Sequence, residues 1–117
     1  MKKINIVKNN RDFKKVIDQQ QCLKNNYFLI HYGTNNLNHY RFGISISKKL
    51  GKAVTRNYYK RIVRNIVDNH KKLYSNNNDY IIIIRKACIG ASYKDMEDAF
   101  IKLINIIEKE SENEEKH

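Results

Sequence analysis

Lysine, arginine and asparagine recur at tight spacing in one stretch of the chain, Lys52-Ala-Val-Thr-Arg56-Asn57-Tyr-Tyr-Lys60-Arg61-Ile-Val-Arg64. Each type offers a different contact to a phosphate chain. Arginine presents a planar fork that bonds two phosphate oxygens at once and stacks on bases, and lysine supplies a point charge. Asparagine both donates and accepts, so it reaches a phosphate, a ribose 2′-hydroxyl or a base edge. At about 100° per residue a helix starting near Val54 sorts these residues from the apolar ones. Tyr58, Tyr59, Ile62, Val63, Ile66 and Val67 gather on a face expected to be core, and Arg56, Asn57, Lys60, Arg61, Arg64 and Lys71 gather on another. Arg56, Lys60 and Arg64 repeat at a spacing of four with like charge, which destabilises a helix unless an anion sits on it. The other chemistry-bearing residues form weaker patterns. His31, His39, His70 and His117 lack zinc spacing. His31 and His39 with a lysine would be the minimum acid–base set of a protein nuclease. Cys22 and Cys88 read as buried thiols.

The whole chain, 117 residues with a formal charge of +11, concentrates that charge. Residues 40–72 hold ten lysines and arginines against Asp68 alone, whereas residues 108–117 (EKESENEEKH) are net acidic by three. A block of one sign faces a partner of the other sign, nucleic acid or anionic membrane. The longest apolar run is Ile81–Ile84, far short of the ~18 residues a membrane span needs. The start, MKKINIVKNN, has no apolar stretch behind its lysines. Two cysteines are too few for a disulfide scaffold or a zinc module, so cytoplasmic residence is expected.

The elements that must carry these residues follow from pattern. Residues 1–9 are expected to be an extended arm. Asn10 is expected to cap a short helix with Phe13, Val16 and Ile17 on one face. Tyr27–Tyr32 and Tyr40–Ser47 read as strands around a GTNNLN turn, forming an antiparallel pair, with a short extra strand near Gln21–Leu23. The second alternates, placing Phe42, Ile44 and Ile46 opposite Arg41, Gly43, Ser45 and Ser47. The basic helix is expected from about Val54 to Tyr74. Tyr80–Arg85 reads as a buried strand, and strand–helix–strand over 40–85 as a crossover between parallel strands. Ser92 with Asp95 makes a capping box for a last helix whose stripe is Met96, Ala99, Phe100, Leu103, Ile104 and Ile107. The sum is an α+β two-layer α-β sandwich, one small mixed sheet of about four strands with three helices. Residues 1–107 are read as a single RNA-binding domain and 108–117 as a disordered acidic tail.

The segment from Leu50 to Arg64, with its pattern A-x-x-R-N-x-x-K-R-x-x-R, resembles the arginine-asparagine-rich motif of the bacterial ribonuclease P protein subunit. The resemblance extends to KNNRDFKKV for the family's first helix, FGISISKKLGKAV for its strand-to-helix passage and DYIIIIRKA for its last strand. Tyr59 stands where the family usually has an aliphatic residue, and Ile17 where some members have a second cleft aromatic. The resemblance implies a left-handed β-α-β crossover, the reverse of the general rule. It also implies a ribonucleoprotein that removes the 5′ leader of precursor tRNA. The RNA subunit would carry the active site and its Mg2+ ions, with one protein per RNA subunit and no membrane partner. Lys52, Arg56, Asn57, Lys60, Arg61 and Arg64 would then bind the RNA subunit.

The other surface fits a flexible strand. Leu29 and His31 share one face of their strand, and Ser45 and Ser47 lead to Lys48 and Lys49. Bases stack on rings and phosphates meet lysines, largely without sequence preference. By the same resemblance Phe13 and His31 occupy the leader cleft with Ser47 and Lys48 nearby, and Lys86 borders it. Where His31 stands, family members often have tyrosine. No residue of the chain is assigned a catalytic or metal-ligating role. The alternatives are a non-catalytic ribosomal-type RNA-binding protein, which the charge alone would equally fit, and a stand-alone nuclease resting on the histidines.

Overall fold

The computed structural model describes the backbone of residues 1–115 and the side chains of residues 1–110. Its elements are α1 (Asn10–Asp18), β1 (Cys22–Lys24), β2 (Phe28–Thr34), β3 (Arg41–Ile46), α2 (Ala53–Asp68), β4 (Asn78–Ile84) and α3 (Tyr93–Glu115). The four strands form one mixed sheet in the order β1-β2-β4-β3. This corrects the expected pairing. β2 and β3 are not neighbours, because β4 lies between them, antiparallel to β2 and parallel to β3. The isoleucine run explains the arrangement: a strand apolar on both sides of its backbone belongs where both faces are covered.

Alternation then divides the sheet. Phe28, Ile30, Tyr32, Phe42, Ile46, Tyr80, Ile82 and Ile84 point into the main core with the buried faces of α2 and α3. The expected α3 stripe is buried throughout, from Met96 to Ile107, and each of its larger side chains contributes about 1.5–3 kcal/mol of transfer free energy. Asp95 N–H donates to Ser92 Oγ at 3.1 Å, which is the serine half of that capping pattern. On the opposite face α1 covers part of the sheet through a second cluster of Val7, Val16 and Ile81, with Phe13 and Ile83 packed against it.

Four further expectations are corrected. The residue capping α1 is Asn9, whose side chain accepts from Asp12 N–H at 2.9 Å. The arm is not extended throughout: Lys3–Asn5 form a 3-10 turn, after which Val7 N–H donates to Phe42 carbonyl and Ile6 bridges Phe42, covering the free edge of β3. α2 stops at Asp68, and Lys71 lies in a separate 3-10 turn with backbone breaking at His70 (ψ 35°). Finally, α3 does not end at Ile107. Its backbone continues to Glu115, Glu108 accepts from the Tyr80 hydroxyl and Glu110 from the Tyr32 hydroxyl. Those two hydroxyls sit at the rim of the core and need acceptors, which draws the start of the acidic segment onto the sheet. Residues 116 and 117 of that segment lie outside the described residues.

Candidate nucleic-acid interface

α2 buries Tyr59, Val63, Ile66 and Val67 and turns Asn57, Arg61 and Arg64 to solvent, with Arg56 and Lys60 half-exposed on its flank. Lys52 precedes it and is exposed. Asp68, the single acid of this stretch, is taken by the N-terminal ammonium at 2.8 Å. Among the described residues no ion pair within 4.0 Å involves Lys52, Arg56, Lys60, Arg61 or Arg64. The helix start adds to this field. Its first turn has no acidic residue and no side chain caps it, so free N–H groups and the positive end of the helix dipole face the same region. Arg56 is partly committed, its Nε donating to Gly51 carbonyl at 3.2 Å. The cationic set expected on this helix is thus brought together, unneutralised and next to an open helix N-terminus.

The α1 side of the sheet forms a shallow groove. In register across it run Cys22, His31, Ile81 and Gly43, with Leu29, Ile83 and Ser45 in the next row. Phe13 packs over Gly43 and beside Ile81, so Phe13 and His31 flank the same isoleucine. Phe13, Leu29, His31, Ser45 and Ile83 are all half-exposed, which leaves rings and small polar groups accessible on an apolar floor. Because β3 and β4 are parallel, Ile46 and Ile84 end together. Ser47 and Lys48 therefore leave the sheet at the same end as Lys86, and both lysines are exposed. Ser47 Oγ is engaged locally, accepting from Lys49 N–H at 3.2 Å. The loop 47–52 joins this end of the groove to the start of α2.

His31 differs from an exposed histidine. Its Nδ1 is buried without a hydrogen-bond partner among the described residues, and desolvation holds its pKa below the usual 6.5. The ring is therefore neutral near pH 7 and presents a stacking face rather than a cation. As pH falls through about 6.5 the unfolded chain takes up this proton before the folded one does, so native stability declines down to the depressed folded value. Urea midpoints between pH 7 and pH 5 should fall more steeply for this protein than for His31→Tyr. Parallel profiles would refute the burial effect. His39 lies in the loop before β3, its Nδ1 3.3 Å from Tyr40 carbonyl, and His70 pairs with Glu97 at 3.0 Å. Neither shares the groove with His31, so among the described residues His31 has no second histidine beside it there. Cys88 is buried, its thiol pushed up to about 11 by desolvation, whereas Cys22 is exposed, against expectation. Tyr58, expected in the core, is 54% exposed.

Sequence reasoning missed Gly43 and the ion network under α1. In the sequence Gly43 is simply a residue on the polar face of its strand, yet a Cβ there would meet Phe13 Cζ at 2.5 Å and Ile81 Cδ1 at 2.9 Å. Arg41 grips Asp79 through Nε at 2.9 Å and Nη2 at 2.6 Å and reaches Asp12 of α1 at 3.1 Å. Among the described residues no group of three His, Cys, Asp or Glu side chains is placed to hold a metal ion. No described helix is long and apolar enough to cross a membrane.

Known proteins share this arrangement. The Ribonuclease P family model matches residues 1–108. A ribonuclease P protein component of Streptococcus pneumoniae (strain Hungary19A-6) is 37% identical over 106 residues, 91% of this chain and 86% of that protein. A mutant RNase P protein of Staphylococcus aureus with defective mRNA degradation activity superposes with a TM-score of 0.83 at 31% identity, covering 90% of this chain and 89% of the other. The RNase P protein of Thermotoga maritima superposes with a TM-score of 0.77 at 27% identity, covering 84% and 93%. The match runs from the N-terminal arm through the buried stripe of α3 and so takes in both the basic helix and the groove; the chain belongs to the ribonuclease P protein family.

Proposed function

We propose that this protein is the RNA-binding subunit of a ribonuclease P that works in the cytoplasm, one protein per RNA subunit, on precursor tRNA. The observation that carries the reading is the pairing of an unneutralised cationic helix on one side of the sheet with an accessible ring-and-lysine groove on the other. α2, through Lys52, Arg56, Asn57, Lys60, Arg61 and Arg64, holds the RNA subunit. The groove, through Phe13, His31, Ser47, Lys48 and Lys86, holds the single-stranded 5′ leader. A leader exists only before cleavage, so binding it favours precursor over product. The chemistry belongs to the RNA, where Mg2+ finds the hard oxygen ligands it prefers, and the protein binds and orients.

Reconstitution tests this. Leader removal should require the cognate RNA subunit and Mg2+ and survive the double change His31→Ala, His39→Ala. Cleavage by the protein alone would overturn the assignment. Binding of the RNA without any support of cleavage would instead favour the ribosomal-type reading. Salt supplies a second measurement. With about five cations on phosphates, log K against log[salt] should slope at least roughly −3.5, taking ~0.7 per single-strand phosphate. Arg61→Ala should make that slope shallower by about one phosphate's share. A flat response would refute the electrostatic account.

A further inference from the structure

The line of α2 that points directly away from the core is narrower than its cationic flank. Opposite the buried Tyr59, Val63 and Ile66 run Val54, Tyr58 and Arg61, spaced four and then three residues apart. Val54 is 81% exposed and Tyr58 54%, which leaves an apolar strip along the border of the cationic flank. Tyr58 is also held in place. Its ring stands edge-on to Tyr59, with centroids 5.1 Å apart at 85°. Tyr59 is itself clamped, its hydroxyl accepting from Gly90 N–H at 2.9 Å. Beyond Arg61 the line closes in a polar cluster, where Asn65 Oδ1 accepts from the Tyr93 hydroxyl at 2.7 Å and from Asn69 at 3.1 Å.

We infer that Tyr58 is a stacking platform for an unpaired nucleobase of the RNA subunit. This rests on the proposal that α2 binds that RNA. A fixed aromatic ring accepts a base face without much loss of side-chain freedom. Arg61, one turn further on, adds a guanidinium that stacks or takes the adjoining phosphate. Asn57 lies on the same flank, with both donor and acceptor atoms. Charge selects the occupant. A second copy of this chain would bring its own cations against Arg61 and Arg64, a like-charge contact that disfavours association, whereas a nucleotide brings a phosphate beside its base.

The test measures affinity of the full-length protein for its RNA subunit as a function of salt, with circular dichroism as a check on folding. Tyr58→Ala should weaken binding about five- to a hundredfold, the range of one lost base–aromatic stack, and leave the salt slope unchanged. Tyr58→Phe should bind like the parent. RNA carrying 5-iodouridine should photo-crosslink to the peptide holding Tyr58. An unchanged affinity of Tyr58→Ala alongside a weakened Arg61→Ala overturns the platform and leaves the RNA-binding helix standing. Unchanged affinity in both overturns the helix reading itself. Equal loss in Tyr58→Phe and Tyr58→Ala makes the hydroxyl responsible and also overturns stacking. Self-association of the free protein that Tyr58→Ala abolishes would assign the strip to a second copy.

Discussion

Asp79→Ala is expected to destabilise the protein by about 3–5 kcal/mol, the usual consequence of removing one partner from a buried ion pair. Asp79 is 4% exposed and accepts from Arg41 twice and from Asn35 Nδ2 at 2.7 Å. Its loss leaves the Arg41 guanidinium, whose side chain is 16% exposed, with only Asp12. Urea denaturation checks the value. A double change of Arg41→Met with Asp79→Leu should recover much of the loss, because the desolvation cost of both charges goes with them. A single-variant loss below about 1 kcal/mol would show that water already screens the pair. The effect should reach function, since Asp12 belongs to the first turn of α1 and Arg41 ties that helix to β3 and β4. Precursor binding should therefore weaken in Asp79→Ala before binding of the RNA subunit does.

How legible such features are depends on whether their cause is local. α2 was readable because charge and apolarity both follow one period, and β4 because four successive isoleucines have no wet side. The pairing of β2 with β3 was misread for a local reason: two alternating runs around a GTNNLN turn look like a hairpin. The deciding fact was β4 some forty residues on, which pairs with β2 on one side and with β3 on the other. Tyr58 and Tyr59 are adjacent and chemically alike, yet one is exposed and the other buried. Their separation was latent in the helical phase of Val63 and Ile66, which share the side of Tyr59. The Arg41–Asp79 pair had no local signal, because its partners are 38 residues apart. Neither did the docking of Glu108 and Glu110, since composition argued for disorder and two distant tyrosine hydroxyls supplied the anchors. Local periodicity thus located the cationic helix, and long-range satisfaction of buried polar groups decided what frames the groove.

Gly43→Ala is expected to reduce the preference for precursor over mature tRNA about tenfold while sparing affinity for the RNA subunit. The added methyl would lie 2.5 Å from Phe13 Cζ and 2.9 Å from Ile81 Cδ1. Ile81 is 1% exposed in the central strand, so Phe13 is the side chain that must give way, and α1 with it. Overpacking of this kind costs about 1–3 kcal/mol of stability. Phe13→Ala should lower discrimination by a similar factor through a lost stack, with precursor and mature affinities measured side by side. α2 lies across the sheet from both residues, which is why its RNA contact should be untouched. The double variant separates placement from contact. With Phe13 already truncated the Gly43→Ala methyl has its main obstacle removed, so the two stability losses should fall well short of adding, as neighbouring sites do. Discrimination should stay low, because the stacking ring is absent whether or not the helix is well seated. Fully additive stability losses would mean that Gly43 does not act through Phe13. Equal weakening toward precursor and mature tRNA would mean that the groove does not read the leader.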